Sequence, residues 1–242
     1  MQPEDSVPPK PVSEQIRPEI TRLPPLTRGR LFVRQLLRLT AKLLVKLLAR
    51  PRVAGLEHFP THGPALLTTN HLGDADAVMA LAFFPSMPET LAKAELYDFP
   101  LLGRLMEAFG VIWLHRGRPD RRAMRAALQA LEQGRLIAIA PEGRESQTGA
   151  LEEGTSGAAF LAFKSGAPLV PITFTGTTNA QVFGALKRLR RPEMSLTVGP
   201  PFNLENSSDR RQALEQGTQQ IMQTLARQLP AEYQGAYFKP GD

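Results

Sequence analysis

The stretch Ala65-Leu-Leu-Thr-Thr-Asn-His-Leu-Gly-Asp-Ala-Asp76 decides the fold, because it passes from a strand pattern into a helix pattern. Its first five residues are apolar or β-branched and predict a buried strand, whereas the apolar run Ala77 to Phe84 follows the aspartates. On an unbroken helix His71 and Asp76 would lie about 140° apart and could not meet. Gly73 and a helix start near Asp74 would let the chain turn first and bring the two side chains into a hydrogen-bonded pair. The alternative is that Asp74 and Asp76 only cap a helix, with His71 filling a loop.

Strand and helix patterns continue to alternate after this stretch. The length of 242 residues and the hydrophobic content of 42% suit one large domain with a substantial core. We therefore predict an α/β fold with a central mixed or parallel sheet flanked by helices, and reactive groups at the strand ends. The predicted strands are 65–69, 111–114, 136–140, 169–174 and 195–198, and the predicted helices are 120–133, 156–164 and 209–228.

Two segments of different character precede this domain, which we place at 51–230 with a C-terminal tail at 231–242. Residues 1–28 carry many prolines among charged residues and predict a mobile leader. Residues 29–50 predict an amphipathic helix at a membrane surface, with a basic stripe opposite a leucine-rich face. An ordinary amphipathic helix packed on the domain is the alternative. The stripe recurs every four residues, at Arg34, Arg38, Lys42, Lys46 and Arg50.

Composition limits the partners and the chemistry. The net charge of +6 and the sequence pI of about 10.0 favour an anionic partner, such as phospholipid headgroups, nucleic acid or phosphorylated small molecules. The absence of cysteine excludes disulfides, cysteine-ligated metals and a cysteine acyl-enzyme. Neither a secretory signal nor a spanning run is visible, so we expect a peripheral protein on the cytoplasmic face of the membrane. The scattered histidines predict no metal site, and no cofactor is indicated.

Two further segments place polar groups after strands. Gly110 to Arg116 ends in a cation that can hold a phosphate through paired hydrogen bonds, although a solvated arginine is an equal alternative. Pro141-Glu142-Gly143 predicts a sharp turn with a carboxylate that binds a substrate hydroxyl or fixes that arginine. Taken alone, this turn is more typical of a solvent-facing glutamate.

The order of the blocks carries more information than any one of them. Along the chain they are Asn70-His71-x-x-x-x-Asp76, Lys93-x-Glu95-Leu with Pro100-Leu-Leu-Gly103, Gly110 to Arg116, Pro141-Glu142-Gly143 and Val170-Pro171-Ile172. In this order and spacing, from about Gly55 to Gly176, the chain resembles the glycerolipid acyltransferase family. Within this family, the chain is most similar to the subgroup of 1-acylglycerol-3-phosphate acyltransferases.

The resemblance implies an O-acyltransferase in which His71 is the general base and Asp76 orients it. The hydroxyl of a lysophospholipid then attacks the thioester of acyl-CoA or acyl carrier protein, and the subgroup implies 1-acylglycerol-3-phosphate as acceptor and phosphatidic acid as product. Another lysolipid or alcohol acceptor, or a non-enzymatic lipid-binding protein, is the alternative. The resemblance assigns substrate binding to Asn70, Arg116, Glu142, Gly143 and, near the acyl donor, Pro171.

The chain departs from the family pattern at two places. Gly143 is followed by Arg144-Glu145-Ser146 instead of Thr-Arg-Ser, and His115 replaces the acidic residue that commonly precedes the arginine. We hypothesise that Arg144 supplies the missing phosphate contact. A serine hydrolase lacks support because no Gly-x-Ser-x-Gly is present. Nucleic-acid binding lacks support because the cluster 187–191 has no interleaved aromatics; we expect it to face anionic lipid beside the helix at 29–50.

Overall fold

A computed structural model describes residues 8–117, 119–205 and 209–239, so residues 1–7 of the predicted leader and 240–242 of the predicted tail lie outside the described residues. These residues form an α/β domain with a seven-stranded mixed sheet between two helical layers. The strands are β1 (Arg50–Ala54), β2 (Ala65–Thr69), β3 (Glu89–Lys93), β4 (Ile112–Leu114), β5 (Leu136–Ile139), β6 (Leu169–Thr175) and β7 (Glu193–Val198).

The strand order is β1-β7-β6-β2-β5-β3-β4. All neighbouring strands are parallel except β6 and β7, which are antiparallel. The carboxyl ends of β6, β2, β5, β3 and β4 therefore share one edge of the sheet, here called the carboxyl edge, while β7 and β1 begin there. Polar residues that follow these five strands in sequence are gathered along this edge, which is the usual place for a site in such a sheet.

The helices are α1 (Arg28–Leu48), α2 (Asp74–Phe83), α3 (Leu102–Phe109), α4 (Arg121–Glu132), α5 (Gly157–Ser165), α6 (Asn179–Lys187) and α7 (Arg210–Gln228). Alanine-rich faces of α4 and α5, whose small side chains allow close packing, cover one side of the sheet together with the apolar face of α7. Helices α1 and α2 cover the other side, with α3 beside β4. The sheet is buried on both faces, which explains why its central strands are almost wholly apolar.

The orientation of α1 corrects the predicted basic stripe. Arg34 is buried and binds Glu89 through Nη2–Oε2 at 2.6 Å, so its charge faces the sheet rather than a lipid. Ala41 and Val45 share this inward face. The opposite face is apolar and exposed, with exposed fractions of 68% for Phe32, 52% for Leu36, 55% for Leu39, 57% for Leu43 and 60% for Leu47. The buried partner Glu89, which sequence periodicity does not reveal, sets this orientation.

The structure also corrects the predicted mobile leader over its described part, residues 8–27, here called the strap. The strap lies along the domain and makes specific contacts with it. Ile20 is buried against Phe109 and Trp113, and Arg22 binds Glu107 at 2.7 Å. The tail likewise folds back, since Tyr237 Oη accepts a hydrogen bond from Gly154 N at 3.0 Å. The strap and the tail can be ordered with few apolar residues, because their polar groups form hydrogen bonds and ion pairs with the domain.

Four elements have no counterpart among the predictions: β1, β3, α3 and α6. Strand β3 begins with Glu89, whose charge is compensated by Arg34 and by Arg135 at 3.3 Å. Strand β1 is an edge strand with exposed arginines and therefore lacks an apolar run. Short helices such as α3 and α6 lack the long periodic pattern on which a prediction depends.

Candidate active site

His71 leaves the carboxyl end of β2, the central strand of the sheet. The preceding Asn70 is buried, and its amide bonds the backbone of Phe174 on β6 in both directions, at 2.9 Å and 2.8 Å. This side chain extends the β2–β6 pairing by one residue. Asn70, predicted to bind substrate, thus acts on the site by fixing the backbone beneath His71.

The imidazole of His71 is paired with Asp76, which lies in the first turn of α2. His71 Nδ1 lies 2.9 Å from Asp76 Oδ2, and the same oxygen accepts hydrogen bonds from Leu72 N at 2.7 Å and Gly73 N at 3.1 Å. Because a carboxylate oxygen accepts, Nδ1 carries the proton and Nε2 presents its lone pair. The part of the chain that the structure describes gives Nε2 no hydrogen-bond partner, and the side chain is 37% exposed.

Gly73 enables this geometry for a reason other than the predicted turn. Its φ of 175° is ordinary extended backbone, and α2 begins immediately after it. A Cβ at this position would lie 2.6 Å from Thr177 O and 2.9 Å from Asn179 Oδ1. The glycine is therefore required by the close approach of the loop between β6 and α6, which packs against the start of α2.

The backbone of His71 is held on both sides by the segment that follows β5. Glu142 Oε1 accepts a hydrogen bond from His71 N at 3.2 Å, and Ser146 N donates to His71 O at 2.7 Å. Glu142 is fully buried, and its Oε2 accepts from Glu152 N at 2.8 Å. Both oxygens of this carboxylate, predicted to bind a substrate hydroxyl or to fix Arg116, accept backbone N–H groups and so fix the backbone of His71, and Gly143 adopts the φ of 74° that this turn requires.

Burial shifts the charge balance of these groups. It raises the pKa of Glu142 to about 7, even though the hydrogen bonds from Glu152 N and His71 N favour its ionised form. Burial lowers the pKa of His71, but the hydrogen bond and charge of Asp76, with the charges of Glu145 and Glu142, outweigh it, so the pKa of His71 lies above its usual value. The acidic surroundings thus strengthen His71 as a base.

Arg116 follows β4 on the same edge. Its guanidinium Nη2 lies 3.3 Å from Glu95 Oε1, and its backbone N–H donates to Ser13 Oγ at 2.7 Å. Among the described residues, Arg116 Nε and Glu95 Oε2 are buried without a hydrogen-bond partner. This cation lies on the carboxyl edge, where the sequence placed it, and keeps donor capacity.

Two other predicted substrate contacts are occupied within the fold. Arg144 is buried; its Nε binds Glu152 Oε2 at 2.6 Å and its Nη1 donates to Pro8 O at 2.7 Å. Pro171 is buried inside β6, opposite Thr68 in the register with β2. The structure brings His71, Asp76 and Glu142 together, holds Arg144 on Glu152 and Pro8 instead, and places Pro171 inside β6.

Sequence reasoning missed three residues of this arrangement. Glu152 neutralises Arg144, Glu145 binds Asn179 Nδ2 at 3.1 Å near His71, and Ser13 contacts Arg116 from the strap. Glu145 was visible as a departure from the family pattern and could have been tested as an electrostatic neighbour of His71. Ser13 and Glu152 carry no local signal, because their partners are fixed only by the tertiary fold.

Comparisons with known proteins agree with this architecture. A family model described as Acyltransferase matches residues 50–175. The chain is 29% identical over 183 residues to a 1-acyl-sn-glycerol-3-phosphate acyltransferase of Limnanthes douglasii, covering 74% of this chain and 63% of that one. It is 27% identical over 153 residues to a chloroplastic 1-acyl-sn-glycerol-3-phosphate acyltransferase of Brassica napus, covering 62% and 44%. The chain spans about half the length of the curated relatives it matches.

A solved structure shares the fold. The crystal structure of the 1-acyl-sn-glycerophosphate acyltransferase of Thermotoga maritima superposes with a TM-score of 0.63 at 20% sequence identity, covering 84% of each chain. At this identity the likeness concerns the fold, namely the α/β sheet with helices on both faces.

Proposed function

The chain belongs to the Acyltransferase family, and on that premise we propose that it transfers a fatty acyl group from a thioester donor to the free hydroxyl of a lysophospholipid. The observation that carries the proposal is the His71–Asp76 pair at the carboxyl edge, with Nε2 unengaged by the described residues. An imidazole held in one tautomer by a carboxylate is suited to remove a proton from a hydroxyl.

The proposed step needs no acyl-enzyme. His71 Nε2 takes the hydroxyl proton while the acceptor oxygen forms a bond to the thioester carbonyl carbon. The carbon–sulfur bond then breaks, and the imidazolium returns the proton to the departing thiolate. Asp76 stabilises the transient positive charge on the ring. Direct transfer suits a chain without cysteine, and we expect it to need no metal ion or cofactor beyond the acyl-CoA or acyl carrier protein donor.

For the acceptor we propose 1-acylglycerol-3-phosphate, which would give phosphatidic acid. The activity for which the relatives are named supports this choice, as do the two cations Arg116 and Arg144 on the edge that carries His71. Arg116 is the stronger candidate for the phosphate: Arg144 is buried and bound to Glu152 at 2.6 Å, whereas Arg116 lies 3.3 Å from Glu95 and its Nε has no partner among the described residues. Another lysolipid or alcohol acceptor is the alternative within the same reaction class.

Acyl transfer measured directly tests this proposal. Wild type and His71→Ala receive labelled acyl-CoA or acyl carrier protein with lysophosphatidate, lysophosphatidylcholine or glycerol 3-phosphate as acceptor. We expect a diacyl product from lysophosphatidate, reduced about 10²- to 10⁴-fold in a folded His71→Ala variant. Transfer to lysophosphatidylcholine alone would keep the reaction class and reject the phosphate assignment, whereas transfer to glycerol 3-phosphate alone would keep the phosphate and reject the lysolipid acceptor. A folded wild type with no transfer to any acceptor would favour a lipid-binding protein.

The same proposal places the enzyme at a membrane surface, on the cytoplasmic face. The outward row of α1 is apolar, with the exposed cations Lys42 and Lys46 beside it. Arg191 donates to Lys46 O at 2.6 Å, which joins the basic loop 187–191 to the end of α1, and Leu189 in this loop is 97% exposed. Within the described residues, no helix combines the length and apolar character needed to cross a bilayer. An apolar row flanked by cations is typical of a helix lying in the headgroup region.

Vesicle sedimentation tests the surface proposal. Phe32→Glu should bind anionic vesicles about tenfold or more weakly than wild type, since an apolar ring is lost and a like charge is added. Phe238→Glu is the matched control, because Phe238 is also exposed, at 49%, but lies outside α1. Equal binding by both variants, or binding that ignores salt and anionic lipid, would contradict a contact through α1.

A further inference from the structure

The carboxyl edge carries a row of charged groups in strand order. His71 follows β2, Arg144 follows β5, Glu95 follows β3 and Arg116 follows β4. At the usual strand separation of about 4.8 Å, β4 lies about 14 Å from β2. The two arginines thus lie on loops separated by the end of β3, on one side of the catalytic base.

The strap connects these two arginine loops across the end of β3. Pro8 O accepts from Arg144 Nη1 at 2.7 Å, and Lys10 Nζ donates to Glu153 O at 2.7 Å. Five residues after Pro8, Ser13 reaches the loop of Arg116. The first part of the strap therefore spans the interval between the two arginine loops.

Ser13 makes three hydrogen bonds in this region, two with the backbone of Arg116 and one with the carboxylate of Glu95. Ser13 N donates to Arg116 O at 3.0 Å, and Arg116 N donates to Ser13 Oγ at 2.7 Å, so the two backbones are locked together. The Ser13 hydroxyl in turn donates to Glu95 Oε1 at 2.8 Å, the oxygen that faces the Arg116 guanidinium. Ser13 is 6% exposed, so water does not replace these bonds freely.

The hydroxyl and the Arg116 guanidinium therefore share one carboxylate oxygen of Glu95. Without the hydroxyl, Glu95 Oε1 is left to the guanidinium alone, and the ion pair tightens at the expense of any incoming phosphate. The Arg116 backbone also loses its acceptor. Both changes turn the cation away from an acceptor without touching His71.

We propose that Ser13 is a positioning residue for the acceptor phosphate: it holds the Arg116 loop and shares Glu95, so that the guanidinium stays available to the ligand. This inference rests on the proposed function, since it takes the acceptor to carry a phosphate. It gives the strap a role in acceptor binding that is separate from the chemistry at His71.

Steady-state kinetics of Ser13→Ala test the role. We expect the KM for lysophosphatidate to rise about 5- to 10-fold, with kcat and the KM for the acyl donor within about twofold of wild type. Ser13→Cys, whose thiol is a weaker hydrogen-bonding group, should have an acceptor KM between those of wild type and Ser13→Ala. Ser165→Ala is the matched control: Ser165 Oγ also donates once, to Leu161 O, and accepts once, from Ala167 N, at the distant end of α5.

Calorimetric binding of glycerol 3-phosphate separates failure of the inference from failure of the proposed function. Weaker binding by Ser13→Ala than by Ser165→Ala supports the inference even if wild type transfers no acyl group. Equal acceptor KM and equal headgroup affinity in both variants overturn it. A fall in kcat, or an equal rise in the donor KM, also overturns it, because either points to general loosening of the site.

Discussion

Two His–Asp pairs with the same spacing end two strands of one sheet, and only one of them is open. His71–Asp76 follows β2, and His115–Asp120 follows β4. In both, Nδ1 lies 2.9 Å from the aspartate Oδ2, and the aspartate accepts backbone N–H groups where a helix begins. The spacing thus encodes a local structure: a histidine held by a carboxylate at a helix N-terminus.

The difference lies at the second ring nitrogen. Nε2 of His115 accepts a hydrogen bond from Arg17 N of the strap at 2.9 Å, and the residue is 4% exposed. His71 has its Nε2 facing the carboxyl edge and a 37% exposed side chain. The His115–Asp120 pair, which the strap covers, thus has a structural role, whereas the His71–Asp76 pair, which no described residue covers, is a candidate base. Access decides between the two roles, and spacing alone does not.

The largest expected contrast is between the two alanine variants. His71→Ala should lower kcat about 10²- to 10⁴-fold with little change in thermal stability, because it removes the base from a partly exposed position. His115→Ala should keep kcat within about threefold but unfold at lower temperature, because Asp120 and Arg17 N lose a buried partner. Parallel acyl-transfer assays and melting curves measure both. A catalytic loss in His115→Ala without a stability loss would abolish the distinction.

Asparagine substitutions of Asp76 and Asp120 should differ in the same way, the first mainly in kcat and the second mainly in stability. Asp76→Asn can still offer one oxygen to His71, Leu72 and Gly73, so the fold should persist while kcat falls about 10- to 100-fold from the lost charge. In Asp120→Asn both oxygens are already used, and the amide NH₂ would face the N–H groups of His115 or of α4. We expect a loss of about 1–3 kcal/mol in unfolding free energy with kcat nearly unchanged. If Asp120→Asn lost kcat and Asp76→Asn lost only stability, the catalytic and structural roles of the two pairs would have to be exchanged.

A smaller effect concerns the pH dependence at the open pair. The pKa of His71 is raised, and only the neutral ring accepts a proton, so activity should fall on acidification from a pH above that of an ordinary histidine. Glu145 contributes to this rise, so Glu145→Gln should lower the pKa of His71 and move the acid limb of kcat to lower pH. On that limb the variant should be faster than wild type. An unshifted limb would show that Glu145 does not act on the base.

The smallest expected signal is spectroscopic. Because Nε2 of His115 accepts from a backbone N–H, the ring must carry its proton on Nδ1. Imidazole ¹⁵N shifts should report this single tautomer, with no response to added glycerol 3-phosphate. The His71 ring, by contrast, should respond to an acceptor at Nε2. A tautomer exchange at His115 would mean that the strap does not close this pair.

The parts of the fold that sequence predicted are those whose cause is local. Apolar runs such as Leu136–Ile139 and Leu169–Thr175 define central strands because both faces are buried. The His71–Asp76 contact followed from one strand end and one helix start. Strand β3 and the inward charge of α1 could not be predicted. Glu89 and Arg34 are buried only because each neutralises the other, and they lie 55 residues apart in the sequence. The contacts of the strap with the domain, from Ser13 to Glu95 and from Pro8 to Arg144, are of the same kind.

The long sequence separations of these contacts set an order of events during synthesis. The inward face of α1 is completed by Glu89, and its last turn by Arg191, whose partner Lys46 lies 145 residues earlier. At about 5–20 residues per second, roughly 7 to 30 seconds separate the emergence of Lys46 from that of Arg191. Throughout this interval the leucine row of α1 is exposed and its last turn lacks the contact with Arg191. On the proposed membrane role of α1, the nascent chain would reach a bilayer through this helix before the carboxyl edge has formed.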